Sequence, residues 1–312
     1  MIPLKEVVQV LLGDETIKES WQYIIINYRI PKAIVAVLVG AGLGVSGLLM
    51  QTLFRNPLAG PYVLGLSSGA SLGVAIIILG ASLFGGVLGQ FLVTKWSLII
   101  ASSAGSFLVL LAVVIVSSRV KDTMAILIIG LMFASVTAAL VGVLSYFSTA
   151  EELQRYIFWS FGSLGNLTWN ELTILFSAFV IGIGLTIYSI KSLNILLLGD
   201  NYAQSLGLNI KKHRFILILA TSVLAGSITA FVGPIAFIGL AVPHLTKLFF
   251  DTSNHRILVP AVLLSGSILL LLCDSISQLP MSEFTLPINA VTSLFGAPVV
   301  IWLLVRKKKL FV

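Results

Sequence analysis

The residue types that usually carry chemistry are few in this chain of 312 residues, and their spacing does not form a reactive site. The three histidines, His213, His244 and His255, are far apart in sequence, and the HExxH pattern of zinc enzymes is absent. No Gly-Lys pair occurs, so the sequence lacks the Walker A loop that cradles nucleotide phosphates. The single cysteine, Cys273, lies in an apolar run, which is typical of a small buried side chain. We therefore predict no catalytic residue, no metal site and no cofactor bound by this chain.

The composition indicates a membrane protein. Hydrophobic residues make up 58% of the chain and charged residues only 10%, and the mean hydropathy is +1.07. A soluble chain has about a quarter of its residues charged, because it must cover its surface with polar groups. The net charge of +7 does not indicate nucleic-acid binding, since the basic residues lie in short loops between apolar runs.

Nine apolar stretches approach the roughly 20 helical residues that a bilayer core requires. No linker or change in composition divides them. We predict an all-α fold, a polytopic integral membrane helical bundle that forms one transmembrane domain over residues 1–312, with 1–32 as a lead-in on the outer side. The stretches are residues 33–50, 62–81, 97–117, 123–147, 171–190, 214–233, 234–250, 257–275 and 284–305.

The basic residues predict how the bundle is oriented. When Val312 is placed in the cytoplasm, most lysines and arginines fall on the cytoplasmic side and most acidic residues fall outside. The positive-inside rule therefore predicts a cytoplasmic C-terminus. The polar, aromatic segment 151–169 contains Trp159 and Trp169, and tryptophan favours the membrane–water interface. We expect it to form a short helix on the outer face.

Small residues recur at helical spacing in the first two spans. Gly40 and Gly44 share one helix face, and Ser67, Ser68 and Gly69 begin a similar run in the second span. In lipid, residues of this size let helices approach closely. We expect packing to be their main role, and a polar pathway along some of these faces is the alternative.

Ionisable residues are nearly absent from the predicted spans. Asp274 lies near the end of its span, with no evident partner. Buried ionisable residues usually mark the proton and ion pathways of pumps. Their scarcity argues against a proton-coupled pump.

Several short sequence blocks occur in an order and spacing that carry a family resemblance. From about Arg29 to near its C-terminus, the chain resembles the permease family of ABC importers for iron siderophores, haem and cobalamin. Each block alone is a weak signal, but this many blocks in order are specific. They are RIPK at 29–32, RNPLAGP at 55–61, LGLSSGA at 64–70, WSFGSL at 159–164, LLLGD at 196–200, GPIAFIGL at 233–240, VPH at 242–244, LPIN at 286–289 and GAP at 296–298.

The resemblance implies partners and cargo. It implies half of a dimeric type II importer permease in the bacterial cytoplasmic (inner) membrane, paired with an identical or paralogous permease and surrounded by membrane lipid. It also implies two cytoplasmic ABC ATPase subunits, which would bind ATP and Mg, and a periplasmic or lipid-anchored substrate-binding protein. An iron siderophore is the first expectation for the cargo, with haem or cobalamin as alternatives. A stand-alone secondary transporter or channel is the rival class.

The resemblance also implies a coupling region on the cytoplasmic side, at residues 191–213. This region resembles the coupling helices that dock on the ATPase, and an ordinary polar loop is the alternative. Small residues there would let a short helix sit close to its partner. The matching positions are Leu198, Gly199, Asp200, Ala203, Leu206 and Gly207.

Two further groups of residues match the family pattern. Asn56, Pro57 and Leu58 resemble the cytoplasmic loop that helps to close the translocation path, although any tight turn between two spans could use Asn-Pro. Arg29 and Lys32 match outward basic positions that pair with carboxylates of the binding protein. The alternative for both is a helix-end side chain that extends to the membrane interface.

The chain departs from the family pattern in three ways. Lys32 stands where the family often has arginine, so a cation remains but the bidentate geometry of arginine is lost. Gln278 stands where an arginine often follows the position of Asp274, so one docking cation is expected to be missing. Family members usually begin with an additional span, and we expect an upstream start rather than a permease that works with nine spans.

Overall fold

Helices account for all the regular structure in the part of the chain that the computed structural model describes, residues 2–13, 18–81, 93–119, 123–278 and 285–306. This confirms the all-α prediction. The helices are α1 (Leu4–Leu11), α2 (Glu19–Phe54), α3 (Leu66–Ile78), α4 (Lys95–Arg119), α5 (Thr123–Phe147), α6 (Ala150–Ser160), α7 (Trp169–Leu196), α8 (Asp200–Ser205), α9 (Ile210–Val232), α10 (Ile238–Phe250), α11 (His255–Ser277) and α12 (Ile288–Arg306), with a 3-10 turn at Pro61–Leu64.

The lengths of the helices fit a polytopic membrane protein. Six of them, α2, α4, α5, α7, α9 and α11, contain an apolar stretch long enough to cross a bilayer. Three more, α3, α10 and α12, are shorter and apolar. Each of the nine predicted stretches overlaps one of these helices. The short helix predicted within 151–169 is α6.

Several predicted span boundaries differ from the structure by a few residues, and two of the differences have a clear physical cause. Helix α2 begins at Glu19 rather than at 33, because the polar and aromatic residues ahead of the apolar run continue the helix. It is π-helical over Ile25–Arg29, just before Pro31. The wider turn accommodates the proline ring, which would otherwise crowd the carbonyl four residues earlier. The stretch 234–250 is helical only from Ile238, because the chain turns at Phe237, where φ is +66°.

Helix α2 is the central helix of the bundle. It packs against α7, α9, α10 and α11. In its most apolar stretch of 18 residues, 83% is buried. Leu43, Leu48 and Leu49 are completely buried. Because lipid tails are as apolar as leucine, helices in a membrane associate mainly through close packing. The fit of α2 to its neighbours therefore determines how well the bundle holds together.

Glycines make the closest helix contacts. A Cβ at Gly40 would overlap the carbonyl oxygen of Gly266 in α11, and a Cβ at Gly47 would overlap that of Gly239 in α10. Gly69 of α3 lies against Gly105 of α4 in the same way. At these positions any side chain would force two backbones apart.

The bundle has two ends, which we name the α6 end and the α8 end after their short helices. At the α6 end, α6 and α7 each begin with a capping box, formed by Thr149 with Glu152 and by Thr168 with Glu171. Glu171 Oε2 also lies 2.6 Å from Lys95 Nζ, at the start of α4. These contacts fix where α6 and α7 begin and join them to α4.

We expect Gly40→Val and Gly47→Val to impair folding. The added side chains would overlap backbone carbonyls, and overpacking of a well-packed core costs about 1–3 kcal/mol. The yield of monodisperse protein in size-exclusion chromatography and its apparent Tm should both fall. Gly184→Val is the matched control, because a Cβ at Gly184 in α7 meets no atom within 4 Å. Equal yield and Tm for all three variants would contradict the packing argument.

Candidate functional site

The turn that follows α2 contains the predicted gate residues Asn56, Pro57 and Leu58. Arg55 leaves the helix in a left-handed conformation, with φ +45°. The Asn56 N–H donates to Gln51 O at 3.2 Å, and its side-chain Oδ1 accepts from the Leu58 N–H at 2.9 Å. Asparagine is common in turns because its side chain can bond the backbone two residues on. Asn56 therefore shapes this turn, and Leu58 stays exposed within it.

Asp200, the first residue of α8, binds this turn directly. Its Oδ1 accepts a hydrogen bond from Arg55 Nη2, and its Oδ2 accepts one from Arg214 Nη2 of α9 at 2.7 Å. Arg55 Nε also donates to Leu196 O, at the end of α7, at 3.2 Å. Hydrogen bonds between ionised groups are roughly twice as strong as neutral ones. One carboxylate and two guanidinium groups thus join α2, α7, α8 and α9.

Helix α8 buries one of the predicted coupling residues and exposes others. Ala203 is completely buried, and its carbonyl accepts from the Leu208 N–H at 2.9 Å. Leu198, Tyr202 and Leu206 are spaced four apart and are 61%, 69% and 62% exposed. We call these three residues the exposed apolar set. The side chain of Ala203 thus packs inside this chain, and its small size lets α8 lie close to the rest of the bundle.

The two glycines of the predicted coupling region have a backbone role. Gly199 and Gly207 flank α8 with φ of +108° and +81°, where a side chain would be strained. A Cβ at Gly207 would meet no atom of this chain within 4 Å. Glycine is therefore required there by the turn itself, rather than by close packing within the chain.

Lys32 is paired within the chain, at the α6 end. Its Nζ lies 3.0 Å from Asp274 Oδ1, and Gln278 Nε2 donates to Asp274 Oδ2 at 2.8 Å. Asp274, for which the sequence showed no evident partner, therefore has two. Arg29, one turn before Lys32, is exposed. The two predicted docking cations thus have different surroundings.

The small residues predicted for packing or a pathway lie at helix contacts or near them. A Cβ at Gly44 would be 3.1 Å from side-chain carbons of both Val242 and Val262, and Gly40 and Gly69 lie at the close backbone contacts described above. Ser67 and Ser68, near the start of α3, are half-buried. At the three glycines, the contacts in the described part of the chain are those of packing.

Three residues of this site were missed in the sequence. Arg55 was noted only as part of a family block, and neither Arg214 nor Tyr202 was singled out. One local signal was present, since Asp200 is the only acidic residue in the basic region 191–213. A lone carboxylate among cations suggests pairing, but the sequence does not say which cations it reaches.

The chain matches one known transport family over nearly its whole length. The model of the FecCD transport family matches residues 1–306. The chain belongs to this family. Two relatives are the Hemin transport system permease protein HmuU of Yersinia pestis, 35% identical over 300 residues, and the Vitamin B12 import system permease protein BtuC of Citrobacter koseri, 35% identical over 281 residues. The first alignment covers 96% of this chain and 88% of HmuU, and the second covers 90% of this chain and 82% of BtuC.

One solved structure agrees with the FecCD assignment, and a second shares the fold. A metal-chelate type ABC transporter in an inward-facing conformation aligns with a TM-score of 0.83 and 29% identity, over 97% of this chain and 96% of that chain. PsaBC from Streptococcus pneumoniae in complex with Fab, at 14% identity and a TM-score of 0.51, shares the fold alone. The FecCD chain is thus a multi-pass membrane permease of the ABC transporter type, a class found in the bacterial inner membrane, and the family predicted from the sequence is confirmed.

We expect Asp200→Asn to loosen α8 without unfolding the bundle. The amide keeps the side-chain size but cannot balance two guanidinium charges, and partly exposed ion pairs contribute up to about 1 kcal/mol. Backbone amides of residues 197–209 should exchange roughly fivefold faster in hydrogen–deuterium exchange.

The control for this variant is Asp251→Asn. Asp251 is an exposed carboxylate that follows α10 and takes part in none of the four ion pairs found among the described residues. Its replacement should leave exchange in 197–209 unchanged. The same exchange rates in Asp200→Asn as in the wild type would show that the Asp200 bridge does not hold α8.

Proposed function

We propose that this chain is the permease subunit of an ABC importer that carries an iron chelate of the siderophore type. Membership of the FecCD family and the likeness to a metal-chelate type ABC transporter support this cargo class. Haem or cobalamin is the alternative, supported by the relatives HmuU and BtuC. A binding protein would deliver the cargo outside. ATP binding and hydrolysis by partner subunits would then open the path alternately to each side.

The observation that supports the ATP-driven mechanism is the bridge at Asp200. Because Asp200 binds both Arg55 and Arg214, a displacement of α8 acts at once on the turn after α2 and on the start of α9. That turn contains residues 56–58, the proposed cytoplasmic gate. Motion imposed by a partner on α8 would therefore reach the gate through charge-assisted hydrogen bonds rather than through a flexible loop.

The exposed apolar set is the proposed contact with the ATPase. Leu198, Tyr202 and Leu206 lie in the proposed coupling region, 191–213, and their side chains are largely uncovered. Interface energy is usually concentrated in a few residues, and tyrosine is among the commonest of them. Two cytoplasmic ABC ATPase subunits, which hold ATP and Mg, would each cover one such set in a permease dimer.

Basic residues support a cytoplasmic location for the α8 end. Lysines and arginines are the residues that the positive-inside rule places on the cytoplasmic face. The predicted cytoplasmic C-terminus, 307–312, lies outside the described residues. The cations in or beside the α8 end are Arg55, Lys191, Lys211, Lys212, Arg214, Lys247 and Arg256.

At the α6 end, we assign different roles to the two proposed docking cations. Arg29 is exposed, so its charge is available to a carboxylate of the binding protein. Lys32 is already neutralised by Asp274 and would have to leave that pair to dock. Arg29 is therefore the first docking cation, and Lys32 mainly joins α2 to α11.

Helix α5 supplies the proposed face for a second permease, identical or paralogous. Only 11% of its most apolar stretch of 18 residues is buried, the lowest fraction among the six long apolar helices of the described structure. Met132, Val136 and Val143 are each 57% exposed. Lipid or another helix must cover such a surface, and the family resemblance favours another permease, with the cargo path between the two copies.

A stand-alone secondary transporter or channel has weaker support. A coupled proton or ion pathway would require ionisable residues in the middle of the spans. Asp274 instead lies near the end of α11 and is bound by Lys32 and Gln278. Its role in the described structure is an ion pair between helix ends.

We expect the double variant Tyr202→Ala, Leu206→Ala to bind the ATPase more weakly. Loss of a central contact of about 1.4 kcal/mol lowers affinity tenfold, so co-purification of the ATPase should fall by at least about that factor. Tyr188→Ala is the matched control, because Tyr188 is 62% exposed but lies within the α7 span. Wild-type association of the double variant would remove the exposed apolar set from the docking role.

We expect deletion of the gene to abolish uptake of one cargo. A deletion strain would be offered labelled ferric siderophores, haem and cobalamin, with and without the gene restored. The wild-type gene should restore uptake of the lost cargo, and the Tyr202→Ala, Leu206→Ala double variant should not. If haem or cobalamin is the cargo lost, the siderophore ranking is wrong while the importer assignment stands.

A further inference from the structure

A buried histidine joins three helix ends behind the Asp200 bridge. His255, the first residue of α11, is only 1% exposed. Its Nδ1 lies 2.8 Å from Asn194 Oδ1 of α7, and its Nε2 lies 2.8 Å from Thr52 Oγ1 of α2. The Asn194 amide also donates to Asn254 Oδ1 at 3.0 Å. A chain of side-chain hydrogen bonds thus crosses from α2 through α11 to α7.

The backbone determines which atoms donate in this network. The His255 N–H donates to Asn194 Oδ1 at 2.9 Å, so that atom must be the amide oxygen. His255 Nδ1, which approaches the same oxygen, must then carry a proton. In the neutral ring, Nε2 is therefore the acceptor for the Thr52 hydroxyl, whose proton is shared with Leu48 O at 2.9 Å. Both ring nitrogens are satisfied, and the ring has one orientation.

The His255 network and the contacts of Arg55 lie close together in the sequence of both α2 and α7. Thr52 lies one helical turn before Arg55, and Asn194 lies just before Leu196, whose carbonyl accepts from Arg55 Nε. The same two helix ends, those of α2 and α7, are therefore joined twice. One connection is direct, through Arg55, and the other passes through the His255 ring.

We propose that His255 is a positioning residue that makes the ends of α2, α7 and α11 move as one unit when α8 is displaced. The inference rests on the proposed function, because it assigns a role in ATP-driven coupling. Helix α7 leads directly into α8, so force on α8 pulls on the end that contains Asn194. With both hydrogen bonds of the ring in place, that displacement reaches Thr52 and the turn beyond it.

The polar side chains of this site can fix the relative positions of the helix ends, which apolar packing alone would not do. Apolar side chains could hold three helix ends together, but they could slide past one another because their contacts have no direction. A fully satisfied buried polar network is directional and is costly to break in part. A histidine bonded on both sides fixes the distance and the angle between α2 and α7, which is what transmission of a displacement requires.

The test measures the motion of the turn rather than transport. The permease and its ATPase would be reconstituted in nanodiscs with the Leu58→Cys substitution, and maleimide labelling rates would be compared between the nucleotide-free and the ATP–vanadate-trapped states. Cys273, the only native cysteine, is buried, and the parent chain without Leu58→Cys measures its background. In the otherwise wild-type complex the labelling rate should change on trapping.

His255→Phe keeps a planar aromatic ring at this position, slightly larger than imidazole, and removes both side-chain hydrogen bonds. It should shrink the trapping-induced change by at least about fivefold while ATP hydrolysis continues. Thr52→Val removes one hydrogen bond and should reduce the change by a smaller factor than His255→Phe does. In a double variant with His255→Phe, Thr52→Val should cause no further reduction. Thr246→Val is the matched control, since the buried Thr246 hydroxyl donates to Val242 O within its own helix.

The outcomes separate this inference from the proposed function. A wild-type change retained in His255→Phe would overturn the positioning role and leave the importer assignment intact. If His255→Phe does not fold, Thr52→Val decides, and a full change in that variant would overturn the role equally. If the complex with an unaltered His255 shows no change on trapping, ATP-driven coupling itself fails, and the inference fails with it.

Discussion

The proposed mechanism depends on the ion pairs that the Asp200 carboxylate makes with Arg55 and Arg214. The carboxylate lies at the start of a short helix, between one arginine from the end of the central helix and another from the start of α9. The charges of Arg55 and Arg214 would repel each other without it, and α8 would be held mainly by the burial of Ala203. The bridge thereby connects α8, where we propose the ATPase contact, to the turn that forms the proposed gate.

The central helix is suited to receive such a displacement. Glycines at its contacts bring α2 into backbone contact with α10 and α11, so the helices cannot shift sideways without separating main chains. At the α6 end, Lys32 holds α2 to Asp274 of α11. At the α8 end, Arg55 joins it to α7 directly, and Thr52 joins it to the His255 ring of α11, which bonds Asn194 of α7. We infer that α2 behaves as a rigid element that is held at both ends.

The sequence predicted the features that are stabilised by residues within one segment of the chain. Nine apolar stretches, the short helix α6 and the turn at Asn56 each depend on residues within one segment. The start of α2 was predicted too late because polar residues can continue a helix that packing already stabilises. The partner of Asp274 could not be predicted, since Lys32 is distant in sequence. Spacing also could not show that Ala203 faces inward or that Gly207 is needed for its positive φ, because burial and backbone conformation depend on neighbouring helices and turns.

ATP-dependent uptake into proteoliposomes is the decisive measurement for ATP-driven import by this permease. The liposomes would contain this permease with its ATPase subunits, and the outer binding protein would be added with labelled ferric siderophore, haem or cobalamin. One of these cargoes should accumulate only when the ATPase and ATP are both present. Accumulation by this chain alone, without ATPase or ATP, would contradict ATP-driven import.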